Sequence, residues 1–538
     1  MESKAIKQDD GELFDAIVVG AGFAGLYMLH RLRGLGLRAR VFEAGSGIGG
    51  TWYWNRYPGA RCDVESMDYS YQFSEELQQE WEWTERYASQ PEILSYIEYV
   101  AQRFELLRDV QLNTRVLSAS FDDEATLWHI ETDRGVAAAP FFIMGTGSLS
   151  CAQLPKVAGI ENYQGRILQT AQWPHDDVDL SGKRVGVIGT GSSGVQAIPV
   201  IAEQAAELFV FQRTATYAVP AHNAPLEREY QRDVKSRYGE FRAVGRATPL
   251  GFGADRPTAE DLGSEADGDQ RRERFEQYWQ RGGLFFMGAY VDLMLEPEVN
   301  DSAGDFVREK IRDVVRDPET AALLSPSQVI GCKRLCVDTG YYKTFNRDNV
   351  HLIDVSRAPI EKFTANGLTV GGVDHALDIV VFATGFDAMT GSLDRIDIRG
   401  RDGLALKEKW AEGPKTYLGL GSAGFPNFFV IAGPGSPSVL TNMVAAIEQH
   451  VDWIADCLGY IQQRGLTRIE ATTSAEESWV RQVNELADVT LFSSCNSWYL
   501  GANIPGKPRV FMPYLSFPLY VAKCQEVVTA GYDGFALR

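Results

Sequence analysis

The stretch "DAIVVGAGFAGLYMLHRLRGLGLRARVFEAG", residues 15–45, decides how the N-terminal part of the chain folds. An apolar strand runs into the spacing Gly20-x-Gly22-x-x-Gly25, a helix with apolar periodicity follows, and a second apolar strand ends at Glu43. Glycines at this spacing permit a tight turn and let backbone N–H groups at a helix N-terminus approach a pyrophosphate. A carboxylate 18 residues after Gly25 is placed to accept hydrogen bonds from ribose hydroxyls, and it disfavours a 2′-phosphate. The stretch therefore predicts a Rossmann-type site for FAD or NAD.

A second turn of the same kind lies in "GKRVGVIGTGSSGVQAIPVIAEQAAELFVFQRT", residues 182–214. At the matching place, 19 residues after Gly194, the chain has Arg213 followed by Thr214 instead of an acid. A guanidinium presents a rigid fork of donors to phosphate oxygens, so this site is expected to prefer NADPH. A surface arginine at the end of a strand is the alternative interpretation of Arg213. The residues expected to surround this cofactor are Gly189, Gly191, Ser192, Ser193, Gly194, Arg213 and Thr214.

Length, composition and charge exclude several classes of function. With 538 residues, 45% of them hydrophobic and 23% charged, the chain is long enough for two to four globular domains. A net charge of -20 opposes non-specific binding to nucleic acid or to an anionic membrane. The N-terminus is polar and acidic, and no apolar run reaches the length of a membrane span. We therefore expect a cytoplasmic protein with no nucleic-acid or membrane partner and no obligate protein partner.

The cysteines give no sign of a disulfide framework or a metal centre. There are seven of them, an odd number, and none forms a CxxC pair. This usage predicts reduced, mostly structural thiols and no metal site.

The remaining segments predict how the two nucleotide folds are connected. The segments "FFIMGTGSLS", residues 141–150, and "ALDIVVFATGFDA", residues 376–388, are apolar strands followed by glycine turns, and they mark the places where the chain could cross between the two folds. Residues 427–461 supply a further strand, a Gly/Pro-rich loop and a long helix, and Ser474 begins another helix at capping-box spacing to Glu477.

The expected fold class is α/β, with two Rossmann-like dinucleotide-binding domains, the NADP domain inserted into the FAD domain, and a mostly helical insertion. The predicted bounds are 1–147 and 386–538 for the FAD domain, 148–220 and 330–385 for the NADP domain, and 221–329 for the insertion.

Four further segments resemble the Baeyer-Villiger monooxygenases, a family of class B flavoproteins, and the resemblance extends over nearly the whole chain. "GGTWYWNRYPGARCD", residues 49–63, fits every defined position of a family pattern that ends in an aspartate. "CKRLCVDTGYYKTFNRDNV", residues 332–350, is similar to the family segment that holds the active-site arginine. "SWYLGANIPGKPR", residues 497–509, is similar to the late segment that contacts the nicotinamide cofactor. "YQGRILQTAQWPH", residues 163–175, lies between the two glycine-rich motifs and is interpreted as a loop, and its residues 163–174 match the family fingerprint in part.

The fingerprint departs from the family at two positions. Gly165, Trp173 and Pro174 match, Tyr163 replaces phenylalanine, and Gln169 stands where the family has histidine. The resemblance implies that this histidine couples the handling of NADPH to oxygenation. Glutamine can donate and accept hydrogen bonds, but it cannot carry an imidazolium charge.

The resemblance also assigns roles to residues. It implies that Arg334 stabilises the peroxide and adduct oxygens, with Asp63 as its ion-pair partner, and that Lys333 and Trp498 join the NADP site. The FAD site is expected to comprise Gly20, Gly22, Phe23, Gly25, Glu43, Gly50, Thr51, Trp52 and Asp63, and the substrate is expected at Ser438, Val439 and Leu440.

The function implied is an FAD- and NADPH-dependent monooxygenase. It would use a C4a-peroxyflavin to insert one oxygen atom from O₂ next to a ketone carbonyl, giving an ester or lactone, and it would also sulfoxidise thioethers. Residues 433–443 and "PGARCD", residues 58–63, look closer to family members that take aryl or bulky ketones than to those that take small cyclic ketones, and this resemblance implies a bulky substrate. Two alternatives stay open: an N- or S-oxygenating flavin-containing monooxygenase, and an uncoupled NADPH oxidase or flavin reductase, which Gln169 makes credible.

Overall fold

The structure, a computed structural model, describes residues 12–255, 260–502, 504, 506–507 and 513–538. These residues form twenty-two strands: β1 Glu12–Leu13, β2 Ala16–Val19, β3 Ala39–Phe42, β4 Val110–Gln111, β5 Val116–Asp122, β6 Leu127–Thr132, β7 Gly135–Ala139, β8 Phe141–Met144, β9 Arg166–Gln169, β10 Arg184–Ile188, β11 Glu207–Gln212, β12 Ala218–Pro220, β13 Cys336–Asp338, β14 Val350–Asp354, β15 Ile360–Thr364, β16 Gly367–Val370, β17 Val373–Ala376, β18 Ile379–Phe382, β19 Asp397–Arg399, β20 Phe428–Val430, β21 Ile469–Ala471 and β22 Phe535–Leu537.

The same residues form fifteen α-helices: α1 Phe23–Gly34, α2 Thr51–Trp54, α3 Glu75–Glu80, α4 Gln90–Arg103, α5 Ser192–Gln204, α6 Arg228–Ser236, α7 Tyr238–Ala247, α8 Gly268–Arg281, α9 Pro297–Val314, α10 Pro318–Leu324, α11 Tyr341–Thr344, α12 Leu406–Lys409, α13 Met443–Gln463, α14 Thr473–Asp488 and α15 Phe517–Thr529. The protein is therefore α/β.

The first parallel sheet has the strand order β20-β8-β2-β3-β4, and every neighbouring pair in it is parallel. All four residues of β2 are buried, as expected for a central strand that is covered on both faces. Gly20 ends this strand with φ +99, and a Cβ there would lie 2.7 Å from the carbonyl oxygen of Gly145, which follows β8. The chain therefore turns tightly where the strand order reverses, and this is the edge at which open α/β sheets bind ligands.

The second parallel sheet has the order β14-β11-β10-β18-β9, again with parallel pairs throughout. Its central strand, β10, leads through Gly189 into α5, as β2 leads through Gly20 into α1. The edge strand β9 corrects the sequence interpretation of residues 163–175 as a loop, because Arg166–Gln169 pair with Ile379–Phe382 of β18. Strand β9 has four residues and pairs with a neighbour on one side. A strand this short carries too little periodicity to be recognised from the sequence.

Smaller sheets complete the architecture. The mixed sheet β1-β7-β6-β5-β19 packs beside the first parallel sheet, and β15-β16-β17 form an antiparallel meander near the second. Between β12 and β13 the described residues are mostly helical and include α6 to α10. Within the described ranges, no helix is both long and apolar enough to cross a membrane.

The start of α14 differs from the sequence prediction. Its N-cap is Thr472, whose side chain accepts from the N–H of Ala475, so the predicted cap at Ser474 is wrong by two residues. Either hydroxyl suits an N-cap, and the choice between them depends on where the preceding strand β21 ends.

Candidate active site

The carboxyl edges of the two parallel sheets open into one cavity of about 1370 Å³. Both glycine turns contribute to its wall. The predicted site residues that line it are Gly20, Gly22, Phe23, Glu43, Gly50, Thr51, Trp52, Asp63, Gly189, Gly191, Ser192, Ser193, Arg213, Thr214, Lys333, Arg334, Val439 and Trp498. Two cofactors expected at separate sequence motifs would thus share one space.

The first glycine turn forms a cradle for a pyrophosphate. A Cβ on Gly25 would lie 1.8 Å from the carbonyl oxygen of Gly20, so only glycine lets α1 approach β2 this closely. Gly22 and Gly50 face each other, and a Cβ on Gly50 would lie 2.9 Å from the Cα of Gly22. The first turn of α1 has neither a side-chain cap nor an acidic residue, so its N–H groups remain available to an anion.

Glu43 lies at the end of β3 and is only 5% exposed. Its two carboxylate oxygens accept from the backbone N–H groups of Ala21 (2.8 Å) and Gly45 (2.7 Å). These bonds fix the carboxylate on the wall of the cavity, and each oxygen keeps a further lone pair for a hydroxyl donor. The residues around the first turn therefore fit FAD.

The second glycine turn repeats this geometry. Gly189 has φ +108, and a Cβ on Gly194 would lie 2.4 Å from the Gly189 carbonyl oxygen. Gly191, by contrast, has open space beside it and begins α5 without a side-chain cap. The N-terminus of α5 thus faces a cavity wide enough for a second dinucleotide.

Two cationic residues, Arg213 and Lys333, belong to this second site. Both line the cavity, and within the part of the chain that the structure describes neither forms a salt bridge with a carboxylate. Burial, together with the nearby charge of Arg213, lowers the pKa of Lys333. Cations that are brought together without an acid favour an anion between them, and the 2′-phosphate of NADPH is such an anion.

Asp63 and Arg334 form the ion pair that the sequence predicted. Arg334 donates from Nε to Asp63 Oδ2 at 2.7 Å and from Nη2 to Oδ1 at 2.6 Å, and its Nη1 donates to the carbonyl of Val439 at 3.0 Å. The side chains are 24% and 17% exposed. Burial opposes the charge of Arg334, but the attraction of Asp63 outweighs it and raises the pKa of Arg334, so the guanidinium stays protonated.

The two thiols beside this ion pair are not reactive groups. Cys62 precedes Asp63, and Cys336 follows Arg334 by two residues. Burial raises the pKa of the Cys62 thiol far above its ordinary value and that of the Cys336 thiol to about 12. Both remain protonated near neutral pH and are poor nucleophiles.

The segment that carries Asp63 is held from the second nucleotide fold. Gln196 on α5 accepts from Tyr57 Oη at 2.8 Å and donates to the carbonyl of Arg61 at 3.0 Å. Gly59 has φ +81, and a Cβ there would lie 2.4 Å from the Gln196 carbonyl oxygen. No sequence pattern marks Gln196 as a site residue, because its partners lie 135 to 139 residues away.

A disulfide between Cys332 and Cys495 corrects the expectation that all cysteines are reduced. The two residues are 163 positions apart, so spacing could not reveal the pair. It joins the residue before Lys333 to the segment that carries Trp498. Beyond Trp498, Lys507 pairs with Asp387, so the segment is anchored on both sides of its cavity-lining residues. Asn503, Pro505, Pro508 and Arg509 of the predicted motif lie outside the described residues.

The remaining predicted residues lie outside the cavity lining. Tyr163 and Trp173 are buried, and the Tyr163 hydroxyl donates to the Leu377 carbonyl at 3.1 Å. Gln169 is half-buried at the end of β9, and Ala171 and Gln172 after it line the cavity. The predicted residues outside the cavity lining are Gly25, Tyr163, Gly165, Gln169, Trp173, Pro174, Gly194, Ser438 and Leu440. Within the described residues, no cluster of His, Cys, Asp and Glu could hold a metal ion.

Comparisons with known proteins place this geometry among flavin enzymes. Residues 17–237 match the family described as pyridine nucleotide-disulphide oxidoreductase. The chain is 43% identical to a Baeyer-Villiger monooxygenase of Pseudooceanicola batsensis, over 94% of this chain and 93% of that one. It is 41% identical to a phenazine N-monooxygenase of Lysobacter antibioticus, over 98% of each. The solved structure of an oxidised steroid monooxygenase bound to NADP is 52% identical, with a TM-score of 0.93, over 98% of this chain and 99% of that one.

Denaturing thiol titration tests the disulfide. Protein purified without reductant should show five thiols per chain, because Cys332 and Cys495 are paired, and seven after reduction. Cys495→Ser should free Cys332 and leave six thiols before and after reduction. Seven thiols in the untreated wild-type protein would contradict the pairing.

The cation pair can be tested by changing its charge. Arg213→Ala should raise the KM for NADPH roughly tenfold or more, through loss of a charge-assisted hydrogen bond to the 2′-phosphate. The KM for NADH should stay near its original value, because NADH lacks that phosphate. Arg166→Ala removes an exposed arginine outside the cavity lining and serves as the control. An equal rise for both nucleotides in Arg213→Ala would count against a phosphate contact.

Proposed function

The chain belongs to the Baeyer-Villiger monooxygenases, and on that basis we propose that Arg334, held by Asp63, is the fixed cation that stabilises the negatively charged oxygens of its reaction. The enzyme is FAD- and NADPH-dependent and inserts one oxygen atom of O₂ next to a ketone carbonyl, giving an ester or lactone. In total, ketone, O₂, NADPH and a proton give the ester, NADP⁺ and water.

The bidentate Asp63–Arg334 contact on the shared cavity carries the proposal. A guanidinium has five N–H donors, and Asp63 and Val439 engage three of them. The other two N–H donors, one on each terminal nitrogen, are engaged by neither Asp63 nor Val439, and the Tyr499 hydroxyl lies close enough to the guanidinium to share one of them. Because three contacts already fix the side chain, no reorganisation is needed when negative charge develops, which is the condition for strong electrostatic stabilisation.

FAD, held at the turn around Gly20 and Gly22 and beside Glu43, would supply the capacity to accept a hydride from NADPH and to activate dioxygen. The protein must then orient the reactants and exclude water. Val439, Met443, Ile447 and Trp498 are apolar residues of the cavity wall, and Val439 contacts Arg334 directly. Apolar walls lower the local dielectric and so strengthen the attraction of a guanidinium for an anion.

We also propose that residues 1–147 and 386–538 form the FAD domain, 148–220 and 330–385 the NADP domain, and 221–329 the insertion. Support comes from the two parallel sheets, whose strands are drawn from the corresponding segments. The need for NADPH and the net charge of -20 support a cytoplasmic location.

For the substrate, we propose ketones that carry an aryl or other bulky apolar group, with thioethers as additional substrates. The apolar side chains around Val439 and the similarity to a steroid monooxygenase support a bulky substrate. Thioethers follow from the chemistry, because a sulfur lone pair can accept the same activated oxygen atom.

The similarity to a phenazine N-monooxygenase favours N-oxygenation as a second candidate function. Competition between phenylacetone and an aromatic N-heterocycle in one reaction separates the two. Ester as the main product supports ketone oxidation, whereas N-oxide as the main product would replace it.

Arg334→Ala tests the central residue. Anaerobic flavin reduction by NADPH should continue, whereas the yield of ester per NADPH should fall by about 100-fold or more, as for loss of a group that stabilises an oxyanion. Arg401→Ala is a matched control, since Arg401 also pairs with an acid, Glu470 at 2.8 Å, but lies outside the cavity lining. Normal ester yield in Arg334→Ala would overturn the assignment.

A further inference from the structure

His450 is a buried histidine in the middle of α13 to which the proposed function gives no role. It is 0% exposed. Its Nδ1 accepts a 2.8 Å hydrogen bond from the backbone N–H of Ala432, and its ring packs 5.4 Å from the ring of Tyr520. The imidazole of His450 therefore contacts only the protein interior.

The hydrogen bond fixes the chemical form of the imidazole. Because the N–H of Ala432 is the donor, Nδ1 must be the acceptor and the proton must sit on Nε2. Burial lowers the pKa of His450 to about 3, so the ring is neutral near pH 7. Among the described residues, Nε2 is buried without a hydrogen-bond partner. An unpaired buried donor is destabilising, which indicates that the acceptor at Nδ1 is what the position needs.

Ala432 begins a short buried loop with an uncommon backbone. Ala432 has φ +55 and Ser438 has φ +42, although neither is glycine. Their conformations are tied together, because Ser438 Oγ donates to the carbonyl of Ala432 at 3.3 Å. Residues in the left-handed region persist only where the surrounding contacts hold them, and such residues cluster at functional sites.

The loop ends at the residue that contacts Arg334. Val439 follows Ser438 directly, and its carbonyl accepts the 3.0 Å hydrogen bond from Arg334 Nη1. His450, Ala432, Ser438 and Val439 therefore form a continuous path from α13 to the guanidinium. Asp63 fixes one edge of that group, and the Val439 carbonyl fixes the terminal nitrogen on the other side.

We propose that His450 is a positioning residue for oxygen transfer: its Nδ1 holds Ala432, and thereby Ser438 and Val439, so that the Val439 carbonyl sets the direction of Arg334. This inference rests on the proposed role of Arg334. In this role His450 contacts neither substrate nor cofactor and transfers no proton. Loss of the Nδ1 acceptor would let the loop relax and turn Arg334, and misplacement of a catalytic group by about 1 Å can cost 100-fold in rate.

Two substitutions of similar size separate positioning from packing. In His450→Asn the amide oxygen can occupy the place of Nδ1, whereas in His450→Gln it reaches the place of Nε2. Each variant, as FAD holoenzyme, is assayed for anaerobic flavin reduction by NADPH and for ester formed per NADPH consumed with phenylacetone and O₂. We expect normal flavin reduction in both, near-normal ester yield in His450→Asn, and a yield lowered about tenfold or more in His450→Gln.

Equal ester yields in His450→Asn and His450→Gln would overturn the proposal. Cys457→Ala, two turns further along the buried face of α13, controls for general loss of packing and should keep its ester yield. If neither histidine variant retains FAD, Ser438→Ala is assayed in the same way, and an unchanged yield would also overturn it. Normal ester yield in Arg334→Ala would instead refute the proposed function itself, so the two failures are distinguishable.

Discussion

The ion pair between Asp63 and Arg334 is the contact on which the arrangement of the site depends. Its partners are 271 residues apart, and they meet only because both parallel sheets turn their carboxyl edges toward one cavity. Gln196 holds the Asp63 segment from the second fold, and Val439 contacts Arg334 from the loop after β20. Charge, direction and position of the guanidinium are thus fixed by three parts of the chain.

The features that the sequence predicts well are local. Each glycine turn lies within about 30 residues that contain a strand, the turn and a helix, so the spacing of Gly20, Gly22 and Gly25 specifies both backbone and ligand. The second residues, Glu43 and Arg213, follow from the same spacing and distinguish a ribose from a ribose phosphate. Asp63 and Arg334 could be paired in advance only because their motifs resemble those of a known family.

The features that the sequence does not reveal are long-range. The spacing of Cys332 and Cys495 does not indicate that they pair. Gln196 looks like an ordinary residue of an apolar helix. His450 lies on the buried face of α13, where periodicity predicts packing but cannot show that Ala432 donates to it. Gln169 is a related case, because its strand pairs with β18 at the edge of the second sheet, and this pairing is visible only in the structure.

A double-mutant cycle measures the central claim, that Asp63 and Arg334 act as one unit in oxygen transfer. Asp63→Asn and Arg334→Lys each keep a polar side chain but break the bidentate contact, and the ester formed per NADPH is determined for each single variant and for the pair. Because either change already releases the guanidinium or its replacement from its fixed position, the double variant should lose little more than the worse single variant. Losses that multiply, as expected for independent sites, would contradict the account.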